Sequence, residues 1–103
     1  MIKETTILTG TANMAMQYTS VDHFFTENGL ADWRAAELKL FTDAGFDVTD
    51  SAKQQCRLNG DKTKVIITVA YDAQAEKDSV MANASTGDAP SGLYHELSED
   101  HLF

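Results

Sequence analysis

Apolar and polar residues alternate in one stretch near the start of this chain. Met14, Met16 and Tyr18 recur at a period of two, which is typical of a strand whose faces differ in polarity. The pattern predicts a strand from about Met14 to Thr26. Residues 1–13 are expected to form either a short extra strand or an arm.

A helical period follows the turn signal Asn28-Gly29. Asp32 lies where a first-turn acid is favoured by the helix dipole, and Gly45 lies where a left-handed residue ends a helix. The sequence therefore predicts a helix of about four turns, because apolar residues recur about once per turn. Its apolar positions are Leu30, Trp33, Leu40, Phe41 and Ala44.

The middle of the chain has a hairpin pattern. The runs 46–58 and 63–71 flank Asn59-Gly60, a pair that supplies positive φ angles at low cost. The second run carries β-branched residues on both faces, so both faces are expected to be buried. Helices would cover one face, and a second subunit would cover the apolar patch left on the other.

The last third of the chain predicts a second helix and a closing segment. Asp72 is a candidate cap for a helix that ends near Ala84, and residues 85–92 have the composition of a loop. Residues 93–103 predict either a closing strand or a solvated tail.

Composition limits the class of protein. A chain of 103 residues, 43% hydrophobic and 23% charged, is expected to form one folded domain over residues 1–103. Its net charge of −8 repels nucleic-acid phosphates and anionic membranes, so we expect neither as a partner. Cys56 has no second cysteine to pair with, and no leader or long apolar span opens the sequence, so we expect a cytoplasmic protein.

Three local features of the chain are Asp32-Trp33-Arg34, the pair Cys56-Arg57-Leu58 with Val65-Ile66-Ile67, and Tyr71-Asp72 before a helix. With these features the chain resembles the dimeric α+β barrel superfamily, which includes antibiotic-biosynthesis-monooxygenase-like and stress-responsive barrel proteins. The resemblance covers residues 20–84. It implies an α+β fold with a ferredoxin-like antiparallel sheet, two helices on one face, and a homodimer whose two sheets form a barrel.

The resemblance also implies a small cavity in each subunit. Some family members oxidise aromatic substrates without metal or flavin, so the implied ligand is small and apolar or aromatic, and no cofactor is expected. The chain lacks a complete Asn, Trp and His set that matches the haem-degrading members, so that activity is not carried over.

Four residues are candidates for a site. His23, placed by the pattern on the first strand in an apolar setting, is a candidate catalytic base, or else a histidine packed at an interface. Phe25 (or its neighbour Phe24), Trp33 and Tyr71 are candidates to line a ligand pocket, or else simply core. The expected function is a small-molecule-binding protein or a cofactor-independent enzyme. The alternative is a dimeric interaction module without catalysis.

Two further features of the sequence concern metal binding and imitation of DNA. A C-terminal cluster carries potential metal ligands but fits no zinc spacing, so no metal is expected; its members are His95, Glu96, Glu99, Asp100 and His101. The run Ala70-Tyr71-Asp72, Val80-Met81 and Asp88-Ala89-Pro90 is similar to one in phage inhibitors of uracil-DNA glycosylase, acidic proteins that imitate DNA. This similarity implies a further alternative, an acidic inhibitor of a DNA-binding enzyme.

Overall fold

The structure, a computed structural model, describes residues 2–10, 16–83 and 93–101. Within these ranges the chain has an α+β fold. Its elements are β1 (Ile2–Gly10), α1 (Val21–Glu27), α2 (Ala31–Asp43), β2 (Gln54–Leu58), β3 (Lys64–Tyr71), α3 (Gln74–Asn83) and β4 (Leu93–His101). The last segment therefore contributes a strand, and the loop expected at 85–92 lies outside the described residues.

The strands form one antiparallel sheet in the order β2-β3-β1-β4. β1 is an inner strand, because it pairs with β3 on one side and with β4 on the other. The opening segment, considered above as an extra strand or an arm, thus supplies a strand inside the sheet over Ile2–Gly10.

One face of the sheet packs against the helices. Along β3, every second residue from Val65 to Tyr71 is at most 5% exposed, as the period of a strand with one buried face requires. These residues share a core with side chains from β1 and all three described helices, namely Leu8, Phe24, Phe25, Phe41 and Val80. The molecule therefore has two layers around one core.

The opposite face of β1, β2 and β3 is mostly polar. Ile7 and Ile66 lie directly across from each other near its centre and are both half-buried. The residues in register around them are Lys3, Thr5, Thr9, Lys64, Thr68, Ala70, Gln55 and Arg57. The expectation of a large apolar patch on this face is therefore wrong for the described strands, because β1 and β2 contribute lysine, arginine, threonine and glutamine there.

The predicted strand from Met14 to Thr26 is also wrong where the structure describes it, since Val21–Glu27 is a helix. Ser20 caps this helix: its hydroxyl oxygen accepts a hydrogen bond from the backbone N–H of His23 at 3.0 Å. Phe24 and Phe25 are adjacent in sequence and both buried, which a strand with one buried face does not allow. Met14 lies outside the described residues.

The main predicted helix is confirmed as α2, which ends before Gly45, a residue with φ +87°. The second predicted helix is α3, but it begins at Gln74, where Glu76 accepts a hydrogen bond from the backbone N–H of Asp72 at 2.9 Å. With α1, the described residues hold three helices rather than the two expected. All three helices pack on the same face of the sheet, because each contributes side chains to the one core.

The predicted hairpin is confirmed as β2 and β3, although β2 covers only the end of the run 46–58. The turn geometry differs from the expectation for Asn-Gly, because the positive φ of +61° falls on Lys62. Asn59 holds this turn with its side-chain oxygen, which accepts hydrogen bonds from the backbone N–H groups of Thr63 and Lys64.

Candidate functional site

A cleft lies between α1 and α2, whose relative position is set by a tight turn. Gly29 has φ +67°, and the N–H of Leu30 donates to the Phe25 carbonyl oxygen at 2.7 Å. Leu30 is itself buried, so the turn is anchored in the core. The left-handed glycine lets the chain leave α1 and begin α2 within three residues, so the two helices stay side by side.

The cleft has a volume of about 420 Å³ and a mainly apolar lining. Its lining residues are Asp22, Phe25, Thr26, Ala31, Arg34, Ala35 and Leu38. The α2 members of this set fall at positions i, i+3, i+4 and i+7, which places them on one face of the helix. The volume falls within the range of about 300–1,000 Å³ usual for small-molecule pockets.

Arg34 is the cation of the cleft, and its side chain is only 12% exposed. Its guanidinium donates to Glu37 Oε2 and to Gln54 Oε1, each at 3.3 Å, and its Cζ lies 5.8 Å from the centre of the Phe25 ring. These contacts hold a planar donor in one place beside an aromatic face. The arrangement can recognise an acidic group on a ligand, because a guanidinium offers five N–H donors.

Asp22 is the anion of the cleft. It is exposed in the first turn of α1, and within the described residues no ion-pair partner of its carboxylate is found. The cleft therefore has an exposed carboxylate at Asp22 and a mostly buried guanidinium at Arg34, which is bound to Glu37 and Gln54.

Cys56 lies close to Arg34 on the helix-facing side of β2, opposite Ile67. Burial raises the pKa of the Cys56 thiol, and the Arg34 guanidinium opposes this shift without cancelling it. The protonated thiol is a weak nucleophile, so this cysteine is not suited to covalent chemistry at neutral pH.

His23 lies on α1 rather than on a strand, which corrects the predicted setting. Its Nδ1 accepts a hydrogen bond from the Thr19 backbone N–H at 3.0 Å, and its Nε2 is 3.5 Å from Glu27 Oε1. The ring meets that of Tyr18 edge to face, with centroids 5.6 Å apart. His23 does not line the cleft, and a role as catalytic base stays a prediction.

The three aromatic candidates are divided between the cleft and the core. Phe25 lines the cleft, and the Trp33 ring lies beside it at 6.5 Å without being part of the lining. Tyr71 is fully buried on β3 and packs against Phe46 at 5.6 Å. Of the four predicted site residues, this cleft is therefore lined by Phe25 but not by His23, Trp33 or Tyr71.

Sequence reasoning missed Asp22, Arg34 and Leu38 as cleft residues. The spacing of Ala31, Arg34 and Leu38 along α2 was a usable signal, because positions three or four apart share a helix face. This spacing does not reveal the cleft if residues 21–27 are interpreted as a strand, because the cleft requires a second helix there.

Other clusters of charged residues in the described part connect elements. Lys53 Nζ lies 2.7 Å from Glu76 Oε2 and 3.5 Å from Asp72 Oδ2, and it stands over the Phe46 ring at 4.7 Å. Lys77 of α3 lies 3.7 Å from Glu4 of β1, with both side chains 11% exposed. These ion pairs fasten α3 to the sheet and to the segment before β2.

Among the described residues, no group of three or more His, Cys, Asp or Glu side chains is arranged to hold a metal ion. The C-terminal candidates from His95 to His101 belong to β4, for which only the backbone is described. None of the helices in the described ranges combines the length and apolar character needed to cross a membrane. The cytoplasmic location stays a prediction.

The run shared with glycosylase inhibitors is explained in part by the core. Tyr71 and Val80 are fully buried, so their side chains are not presented to a partner, and residues 88–90 lie outside the described part.

Comparisons with known protein families, with curated proteins and with solved structures found no match to this chain. The resemblance to the dimeric α+β barrel superfamily therefore rests on this chain's own features.

Proposed function

We propose that this protein binds a small molecule in the cleft between α1 and α2. The observation that carries the proposal is the cleft itself, with about 420 Å³ of space, an apolar lining that includes Phe25 and Leu38, and the restrained Arg34 beside it. An apolar lining with a few fixed polar groups is the usual composition of a ligand site.

Binding is better supported than catalysis. The residues that line the cleft include neither a histidine nor a cysteine, and Arg34 is a poor proton acceptor because guanidinium stays protonated. A cofactor-independent enzyme would need His23 to reach the ligand by a movement of α1. We therefore propose a binding protein first and an enzyme second.

The narrower fold assignment is also a proposal. The order of elements and the strand order β2-β3-β1-β4 are compatible with a ferredoxin-like fold, in which α1 and α2 together occupy the place of one helix. A homodimer through the open sheet face is supported only by the half-buried pair Ile7 and Ile66. This contact is smaller than the extended apolar face that suggested a barrel.

A fragment screen by heteronuclear NMR tests the proposed site. We expect small apolar or aromatic compounds to shift the amide resonances of cleft residues, and Ala35→Trp to abolish those shifts by filling the cleft. Ala36→Trp is the matched control, because Ala36 is a neighbouring exposed alanine that does not line the cleft. A screen without binders, or binders unaffected by Ala35→Trp, would refute the proposal.

A further inference from the structure

The cleft between α1 and α2 presents charges of opposite sign beside an apolar surface. Asp22 and Arg34 both line it, and its remaining lining is Phe25, Thr26, Ala31, Ala35 and Leu38. We propose, on the basis of the binding function above, that the ligand is a zwitterion with an apolar tail, of the class of apolar α-amino acids. Its ammonium group would pair with Asp22, its carboxylate with Arg34, and its tail would cover the apolar lining around Leu38.

The charge of the protein acts against a purely anionic ligand. The protein carries a net charge of −8, which repels anions at long range, and Asp22 adds a negative charge at the site itself. An anion without a compensating positive group is therefore disfavoured.

Arg34 acts against a purely cationic ligand. Such a ligand would pair with Asp22, but it would also place a positive charge beside Arg34, whose side chain is mostly buried and cannot move far away. Contacts with Glu37, Gln54 and the Phe25 ring hold the guanidinium where it is. A zwitterion satisfies both charges of the cleft, and complementary charges are what gives a polar site its specificity.

The apolar part of the cleft favours an apolar tail on the ligand. The cleft surface is more apolar than polar, and the half-buried Leu38 contributes to it, whereas Phe25 is only 3% exposed and forms its floor. A polar zwitterion such as glycine would leave this surface in contact with water. An aromatic or branched aliphatic tail removes it from water and gains the corresponding hydrophobic free energy.

Titrations followed by NMR separate the three charge classes with one scaffold. The probes are L-phenylalanine, N-acetyl-L-phenylalanine and L-phenylalanine amide, which are a zwitterion, an anion and a cation with the same ring. We expect L-phenylalanine to bind at least about tenfold more tightly than either analogue, since a hydrogen bond to a charged group contributes at about that level. Equal affinities for the three probes would overturn the inference.

Asp22→Asn and Arg34→Gln identify the partner of each charge. Asp22→Asn should weaken L-phenylalanine about tenfold while leaving the N-acetyl compound unchanged or tighter, because only the ammonium partner is removed. Arg34→Gln should weaken L-phenylalanine and relieve the penalty on the amide. Glu27→Gln is the control, since Glu27 is an exposed acid of α1 that does not line the cleft. Thermal unfolding of each variant checks that it is folded.

The outcomes keep this inference separate from the binding function on which it rests. If fragments bind in the cleft and respond to Ala35→Trp while L-phenylalanine does not bind, the zwitterion assignment fails and the ligand-binding function stands. If neither fragments nor amino-acid probes bind, both fail. If Asp22→Asn and Glu27→Gln weaken binding equally, the effect is general electrostatics and the assignment of Asp22 fails.

Discussion

At the scale of single residues, one non-glycine position within the described ranges has a left-handed backbone conformation. Lys62 has φ +61° in the turn between β2 and β3, whereas the other described positive angles belong to Gly29 and Gly45. A residue with a Cβ atom pays about 1–2 kcal/mol to adopt this conformation, because the Cβ atom approaches the following carbonyl oxygen. The lysine side chain is exposed, so nothing in the core depends on it.

Lys62→Gly is therefore expected to raise the free energy of unfolding by about 0.5–1 kcal/mol, the strain relief minus the entropy that glycine adds to the unfolded state. Urea denaturation measures the change. Asp61→Gly is the matched control, because Asp61 is an exposed residue of the same turn without a positive φ, and it should be neutral or destabilising. A stabilisation common to both variants would show that turn flexibility, and not the φ angle, was responsible.

At the scale of elements, two ion pairs between a lysine and a carboxylate show how burial changes the contribution of such a pair to stability. Glu4 and Lys77 connect β1 with α3 and are each 11% exposed, whereas Lys39 and Asp43 are neighbours on α2 and are 74% and 49% exposed. We expect Lys77→Met to cost about 2–4 kcal/mol, because it removes a cation from beside a mostly buried carboxylate. Lys39→Met should cost no more than about 0.5 kcal/mol.

Denaturation of the two methionine variants under identical conditions decides this comparison. Methionine keeps the length and helix propensity of lysine, so the difference reports the ion pair and its burial. Equal losses for the two variants would mean that the pair between β1 and α3 is no more important than one on the surface.

The contact between Lys53 and Glu76 gives a pH dependence. Burial alone would raise the pKa of Glu76, but hydrogen bonds from Lys53 and from the Asp72 backbone N–H outweigh it and hold this pKa below its usual value. Its stabilising effect is therefore present above the unfolded pKa of about 4.3 and is lost as the pH falls through the lower folded value. The hydrogen bond to Glu76 likewise raises the pKa of Lys53, whose contribution is complete below about 10.4 and is lost as the pH rises through the folded value.

Glu76→Gln should accordingly lower the free energy of unfolding at neutral pH, and the gap from the wild type should close below about pH 4. Chemical denaturation at a series of pH values measures the gap. Asp78→Asn is the control, since Asp78 lies on the same helix and its side chain accepts from Gln74 instead of contacting Lys53. A Glu76→Gln gap that persists unchanged to pH 3 would contradict the assigned ion pair.

The elements also show which parts of the fold could be read from the sequence. α2 was predictable because four turns of apolar spacing ended at a glycine, all within one short stretch. α1 was not predictable. Within its seven residues, Val21 and Phe25 fit the period of a strand as well as that of a helix, and only the Ser20 cap distinguishes the two. β1 gave a weak signal because Glu4 and Thr6 lie on its helix-facing side, and Glu4 is accommodated there by Lys77, which comes much later in the chain. The candidate cleft depended on α1 and was lost with it.

At the scale of the whole molecule, the two faces of the sheet predict opposite outcomes for neighbouring isoleucines. Ile67 is 5% exposed in the core, while Ile66 faces the other side opposite Ile7 and is half-buried. Ile67→Glu should unfold the protein, because it would bury a carboxylate without a partner. Ile66→Glu should leave a folded protein, as judged by circular dichroism, and this protein should be a monomer.

Light scattering on the same samples tests the proposed homodimer. If the wild type has the mass of two chains and Ile66→Glu that of one, the open face is the subunit interface, as the resemblance to dimeric barrels implied. A wild-type mass of one chain at micromolar concentration would leave the ligand-binding cleft intact and remove the barrel. This face holds one isoleucine pair among mostly polar residues, so the oligomeric state is decided by the mass measurement and not by the fold.

The position of β1 inside the sheet has a consequence for the order of folding events. Its partners β3 and β4 both lie far along the chain, whereas β2 and β3 are joined by a short turn. Closing a short loop costs less entropy than closing a long one, so the β2–β3 hairpin should gain protection in pulse-labelled hydrogen exchange before β1 does. Until β1 pairs with β3, the backbone groups along that edge of β3 are unpaired. During this interval the chain is most prone to pair with another copy of itself.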